Sequence, residues 1–264
     1  MRRRPVSLLA TAAFVAAAAL TGCGGGGGIA STPPGHQNGE AQRTATQIIA
    51  DAVAALSHVS SFHLQGGGTG LVATGDLAIP GRMHLTMSQN GGTIEFISIG
   101  GVQYFNANRA FWTKQGAAPT AVTILAGRWV KRTQAGGLGS LSVFSALTSA
   151  ATVGHCLVEE HLGTVSVAGT GSVNGQPAVI LDDHGDVPGS APGQLYVATT
   201  GPPLPLRAVQ TGPRMPGGTP DARCGETSVS TGGPSDVTIS AYNAPVSIAA
   251  PAGALDLNAL GAHH

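Results

Sequence analysis

Charge is scarce in this chain. Lysine plus arginine number 13, aspartate plus glutamate 13, and all four types together make up 10% of 264 residues, for a formal net charge of +0. Such a balance supplies no basic footprint for nucleic acid, and no lysine or arginine cluster follows Arg2-Arg3-Arg4. Long apolar runs are lacking too. The single run, from about Val6 to Leu20, is shorter than the roughly 20 residues of a spanning helix.

Catalytic signatures are also missing. There is no Gly-x-Ser-x-Gly nucleophile elbow and no His-Glu-x-x-His. Gly66-Gly67-Gly68-Thr69-Gly70 is not followed by the Lys-Ser/Thr of a phosphate loop and reads as a strand-end turn. The histidines have no serine or carboxylate partner at recognisable spacing, so no catalytic residue and no cofactor is expected. His155, Cys156, Glu159, Glu160 and His161 gather in one place, with His155 and Glu159 on one helical face. Their spacing fits no established zinc pattern, so no metal is expected there. Asp182, Asp183, His184 and Asp186 lack the glycine and distal glutamate of an EF-hand and read as a polar turn.

Cysteine is rare, with 3 in the chain, and each has an expected use. Arg2–Arg4, the apolar run and then Leu20-Thr21-Gly22-Cys23 resemble the lipobox of bacterial lipoproteins. The resemblance implies cleavage before Cys23, a diacylglycerol thioether on its thiol and acylation of the new amino end. Two or more acyl chains hold a protein stably at a membrane, where one holds it only marginally. Cys156 and Cys224 remain. Outside the cytoplasm an even pair reads as a disulfide. Residues 1–22 are thus expected to be a signal peptide, 23–43 a Gly/Pro-rich tether and 44–260 the folded domain.

Glycine is abundant at 40 residues, and it punctuates the domain. From Thr44 to His58, Ile48, Ile49, Ala52, Val53 and Leu56 recur at helical spacing. That face lacks the Lys/Arg border of an interfacial helix, so it is expected to pack on a sheet. Period-two segments follow at residues 61–65, 69–79, 82–88, 93–99 and 102–106, with Asn90-Gly91-Gly92 as a hairpin turn. A short helix crossing the sheet is expected in the segment 108–132, which holds Trp112 and Trp129, and a second helix over 140–157. Strands return over 164–168, 171–182 around Asn174-Gly175, 194–199, 204–211 and 236–242. Residues 212–234 form a Gly/Pro-rich excursion, and 245–257 a weak C-terminal extension.

Met83, Leu85 and Met87 share one strand face, and Phe62, Leu64, Ile94 and Phe96 extend it over neighbouring strands. The pattern allows a filled core or a cavity whose methionines adapt to variable apolar ligands. The tether, the helix ending LSHVSSFHLQG, the VQYFNANRAFWTKQG and LAGRWVK segments and the late QLYVATTGPPLPLRAVQTG resemble actinobacterial LppX/LprG-type lipoproteins, relatives of the LolA/LolB carriers. The resemblance implies an α+β fold: a strongly curved antiparallel half-barrel with helices on its concave face and a hydrophobic space between the layers. On this reading Tyr104 and Trp112 join the residues above in lining it.

The implied function is a monomeric, non-catalytic carrier, lipid-anchored on the extracytoplasmic face of the cell membrane and binding a lipid or acylated molecule. The alternative is an envelope sensor or protein-interaction module of the RseB type with a protein partner. The 212–234 excursion and the Cys156/Cys224 pair depart from the group and lie where they would alter or cap a cavity mouth.

Overall fold

The computed structural model describes residues 36–133, 146–160, 162–219, 221–224 and 233–261. Cys23, the signal segment, most of the tether and His161 lie outside them. None of the helices among the described residues is long and apolar enough to cross a membrane.

The first helix, α1 (Ala45–Leu56), starts where local chemistry dictates. Thr44 Oγ1 accepts from the Gln47 amide while Gln47 Oε1 accepts from the Thr44 amide, a reciprocal capping box. Its stripe of Ala45, Ile48, Ile49, Ala52 and Leu56 is buried. Contacts with the domain begin before residue 44. Asn38 Nδ2 donates to the carbonyls of Ala198 and Gly201, Gln37 bridges Thr200, and Glu40 is buried. The folded part therefore begins ahead of α1, because these side chains satisfy the end of a distant strand.

Among the described residues the strands after α1 are β1 (Ser61–Gly68), β2 (Leu71–Ala78), β3 (Arg82–Gln89), β4 (Gly92–Ile99), β5 (Val102–Ala107), β6 (Trp129–Thr133), β7 (Val165–Val173), β8 (Gln176–His184), β9 (Pro192–Ala198), β10 (Pro205–Gln210) and β11 (Ser235–Ser240). With β12 (Leu255–Asp256) they make one sheet in the order β12-β6-β5-β4-β3-β2-β1-β11-β10-β9-β8-β7. Every pairing is antiparallel except β12 with β6. The sheet is not closed into a barrel, and with the helices it forms a curved α+β half-barrel.

Turn chemistry sets the meander. Asn90-Gly91 (φ 51° and 82°) and Asn174-Gly175 (φ 50° and 82°) have two consecutive positive φ angles, the conformation that matches the twist of flanking strands. Curvature has a separate cause. A Cβ on Gly66 would lie 2.1 Å from the carbonyl oxygen of Asp236, and one on Gly75 would lie 2.0 Å from that of His84. Side chains are missing where neighbouring strands crowd, which lets the sheet bend.

Register aligns the inward side chains in rows. Leu64, Gly75, Leu85, Phe96, Phe105 and Val130 lie level across β1 to β6. The next level holds Phe62, Leu77 and Met83, and the one beyond holds Met87, Ile94 and Ala107. All but Gly75 join one core with the α1 stripe, Trp112 of α2 (Arg109–Lys114) and Val122 of α3 (Pro119–Leu125). The helices therefore cover one face.

Three elements differ from expectation. Residues 108–132 hold two short helices and β6. The helix expected over 140–157 lies partly outside the described residues. The rest is a break after Leu147, where Thr152 Oγ1 bonds the Ala146 carbonyl, followed by a π-helical turn, His155–Glu159. Hydroxyl groups that capture backbone carbonyls compete with the helical ladder. The C-terminal extension adds β12 to the sheet edge.

Candidate functional site

The expected cavity residues do come together, with one exception. Phe62, Leu64, Met83, Leu85, Met87, Ile94, Phe96 and Trp112 belong to one core, and Phe62 and Leu85 are 0% exposed. Phe105 and Trp112 stack obliquely at 6.2 Å, and Phe111 meets Trp112 edge-on at 5.5 Å. Tyr104 departs from the expectation. It pairs with Ile97 and Lys131 on the opposite face, and Phe105 holds the inward place. Neighbouring aromatics on a strand point to opposite sides, so register with Phe96 decided between them.

An open space lies over β8–β11. A cleft of about 170 Å³ runs between the π-helical turn and the sheet. Leu157, Val158 and Leu162 form one wall, and Leu181, Leu195, Ala208 and Val237 the floor. Gln194, Gln210, Ser235 and Arg214 bring polar groups to it. Val158 is anchored in the main core, so the cleft is a gap at the edge of that core.

A strap holds the cleft's outer side. Cys156 of the turn is disulfide-bonded to Cys224, closing a separation of 68 residues. Around the bond, His155 lies between Glu159 Oε2 at 3.1 Å and Asp221 Oδ2 at 3.0 Å, and Glu160 Oε1 accepts from the Asp221 amide. Hydrogen bonds from Arg223 hold the Asp221 carboxyl well below the usual carboxylate range. Further along, the Met215 amide donates to the Ser190 carbonyl at 2.7 Å and the Gly189 amide to the Met215 carbonyl at 2.9 Å. Arg214 of the excursion thus lines the cleft, and the bonded Cys156 adjoins Leu157 of its wall.

The acidic run has a structural use. Asp183 accepts from the amides of Gly163 and Gly185, and Asp186 from that of Thr164 at 2.7 Å. Burial pushes the Asp183 carboxyl up, against the pull of the two amides. Among the described residues, no group of three or more His, Cys, Asp or Glu is placed to hold a metal ion.

One arrangement had no signal in the spacing. On the outer face His63 Nδ1 lies 2.7 Å from Asp76 Oδ1, and Thr74 Oγ1 lies 3.3 Å from His63 Nε2. Hydroxyl, imidazole and carboxylate in line suggest a nucleophile relay. All three residues sit mid-ladder, however, paired across β1, β2 and β3 on a flat surface. Catalysis of that kind needs preorganised donors aimed at the developing oxyanion, and a regular ladder commits its amides to neighbouring strands. His84 Nε2 makes a similar contact with Glu95 Oε1 at 2.7 Å. Both are cross-strand pairs that stabilise a sheet surface.

No protein-family model matches the chain, and no curated protein does. Solved structures are similar to it. LprF from Mycobacterium bovis matches with 17% identity and a TM-score of 0.47, over 83% of this chain and 100% of that one. The Mycobacterium tuberculosis lipoprotein LppX matches with 15% identity and a TM-score of 0.46, over 78% and 100%. A LolA superfamily protein from Nitrosomonas europaea matches with 11% identity and a TM-score of 0.25, over 75% and 92%.

Proposed function

We propose that this chain is an envelope lipoprotein, fastened to the extracytoplasmic side of the membrane through acyl groups on Cys23. Its folded domain takes an alkyl chain of a lipid or acylated molecule into the cleft beside the π-helical turn. The apolar-walled gap between that turn and β8–β11 carries this reading. Its volume of about 170 Å³ is near that of an engineered 150 Å³ cavity that admits benzene. A cleft of that size accommodates about six carbons, the end of one chain. At about 0.8 kcal/mol per buried methylene, six give about 5 kcal/mol before the losses of association are subtracted. A ligand held so lightly leaves readily for a membrane, as a carrier requires.

The test combines native mass spectrometry of protein purified from its own host with displacement of a fluorescent acyl probe. A Leu195→Trp variant fills the floor of the cleft. We expect co-purifying acyl ligand and probe binding in the wild type, and loss of binding in the variant with its circular dichroism unchanged. Equal probe binding by both proteins, or none by either, would defeat the reading.

A protein-interaction module is the second reading, favoured by the near-complete burial of Phe62, Leu85, Phe96 and Phe105 beneath β1–β6. Cross-linking to one specific envelope protein, retained by Leu195→Trp, would select it.

A further inference from the structure

The two edges of the sheet differ in how they meet solvent. At one edge β12 is 2 residues long and pairs in parallel with β6. Lys131 Nζ lies 3.5 Å from Asp256 Oδ2 there, and Asn258 Nδ2 donates to Thr133 Oγ1 at 2.6 Å. A very short strand and charged side chains are usual means of blunting an edge. At the other edge β7 pairs with β8 and with no other strand among the described residues. Its sequence, VSVAGTGSV, carries no charge and no proline. Ser166, Val167, Ala168, Thr170, Gly171 and Ser172 are exposed.

A bulge between Val167 and Gly169 interrupts the first part of β7, and bulges turn an edge away from partners. Beyond it, Gly169–Val173 keeps unbroken register with β8, Thr170 opposite Val179 and Ser172 opposite Pro177. The outward amides and carbonyls of that run offer a template for another strand.

The run matches a copy of itself. Antiparallel pairing about Gly171 sets Thr170 of each chain opposite Ser172 of the other, and Thr–Ser pairs across strands are favourable. It also keeps the acidic ends apart. Asp182 and Asp183 lie opposite Ser166 and Val165, and Asp186 accepts from the Thr164 amide, all at the far end of β7. Parallel pairing would bring these carboxylates side by side. The blunted β12 edge disfavours head-to-tail growth, which leaves a closed two-fold contact.

We propose that β7 is a dimerisation edge, through which two copies of this chain pair antiparallel along Gly169–Val173 and join their sheets. This replaces the monomer that the resemblance implied. So short a run is far below the roughly 20–30 residues a side of a stable interface, so the dimer is weak. On the anchored reading, confinement at a membrane raises its occupancy. The pairing uses none of the residues that line the cleft, so either reading survives failure of the other.

Sedimentation equilibrium of the purified full chain in density-matched detergent, at concentrations up to ~100 μM, tests the pairing. The wild type should pass from monomer to dimer. Thr170→Lys/Ser172→Lys sets like charges opposite each other at both pairs and should weaken the dimer at least ~10-fold. Thr170→Lys/Ser172→Glu sets opposite charges there and should restore it, with the circular dichroism of both variants unchanged. Gly171→Cys, oxidised in the envelope of its own host, should cross-link two copies. A mass that stays monomeric throughout, or a dimer indifferent to the double lysine variant, overturns the proposal. So does a Gly171→Cys cross-link to a different protein in place of a second copy. Failure of the lysine–glutamate variant to restore the dimer overturns the register about Gly171.

Discussion

A Cβ on Gly154 would lie 2.8 Å from the carbonyl oxygen of Val53 and 2.9 Å from its Cγ1. The chain entering the π-helical turn thus runs against the backbone of α1, and only hydrogen fits between them. Gly154→Val should push the turn off α1 and destabilise the protein by about 1–3 kcal/mol, the usual range for overpacking. Urea denaturation should show the midpoint falling, with Gly154→Ala shifted less in the same direction.

The bond between Cys156 and Cys224 ties this turn to the strap across 68 residues of sequence. In the chain-entropy account, a loop of that length contributes about 4 kcal/mol. The double substitution Cys156→Ser/Cys224→Ser should lower the unfolding free energy by about that amount. Reduction of the wild type under otherwise native conditions should move the denaturation midpoint the same way.

Glu40 is buried ahead of α1, 3% exposed, and its carboxyl is raised above the ordinary value of 4.5 by burial and then by Asp51, against the pull of Arg43. A raised acid binds its proton more tightly folded than unfolded. Its contribution to stability is therefore full below the ordinary value and is lost as pH rises through the folded one. Glu40→Gln should remove that loss. The difference in denaturation midpoint, variant minus wild type, should grow more positive from pH 4 to pH 7.

Phe96 and Tyr104 occupy adjoining strands but opposite faces, since Phe96 pairs with Phe105 and Tyr104 with Ile97. Phe96→Ala should cost about 3–5 kcal/mol, as for a buried aromatic. Tyr104→Ala should cost much less. Comparable losses from both, by chemical denaturation, would contradict the register.

Much of the fold was readable where local rules govern. Thr44 with Gln47 marks the start of α1, and the Asn-Gly pairs mark hairpins whose strands alternate cleanly. The elements missed depend on distant partners. Trp129–Thr133 becomes a strand because β5 lies beside it, and Leu255–Asp256 because β6 offers an edge. Tyr104 and Phe105 are both aromatic, so composition could not say which turns inward. The cleft at the π-helical turn had no comparable signal, since its wall and floor come from segments far apart in sequence, residues 157–162 and β8–β11.

The pairing of β1 with β11 sets His63 beside Ser240. One edge of the first strand thus waits for nearly the last segment of the chain to arrive. A sheet joined through so distant a contact assembles slowly, since the connecting chain must be constrained before the joint forms. A polypeptide threaded across a membrane from its amino end would complete this seam only after almost all of it had emerged. Until then its two halves face the surroundings with bare ladders, the interval in which a chaperone on that side has most to protect.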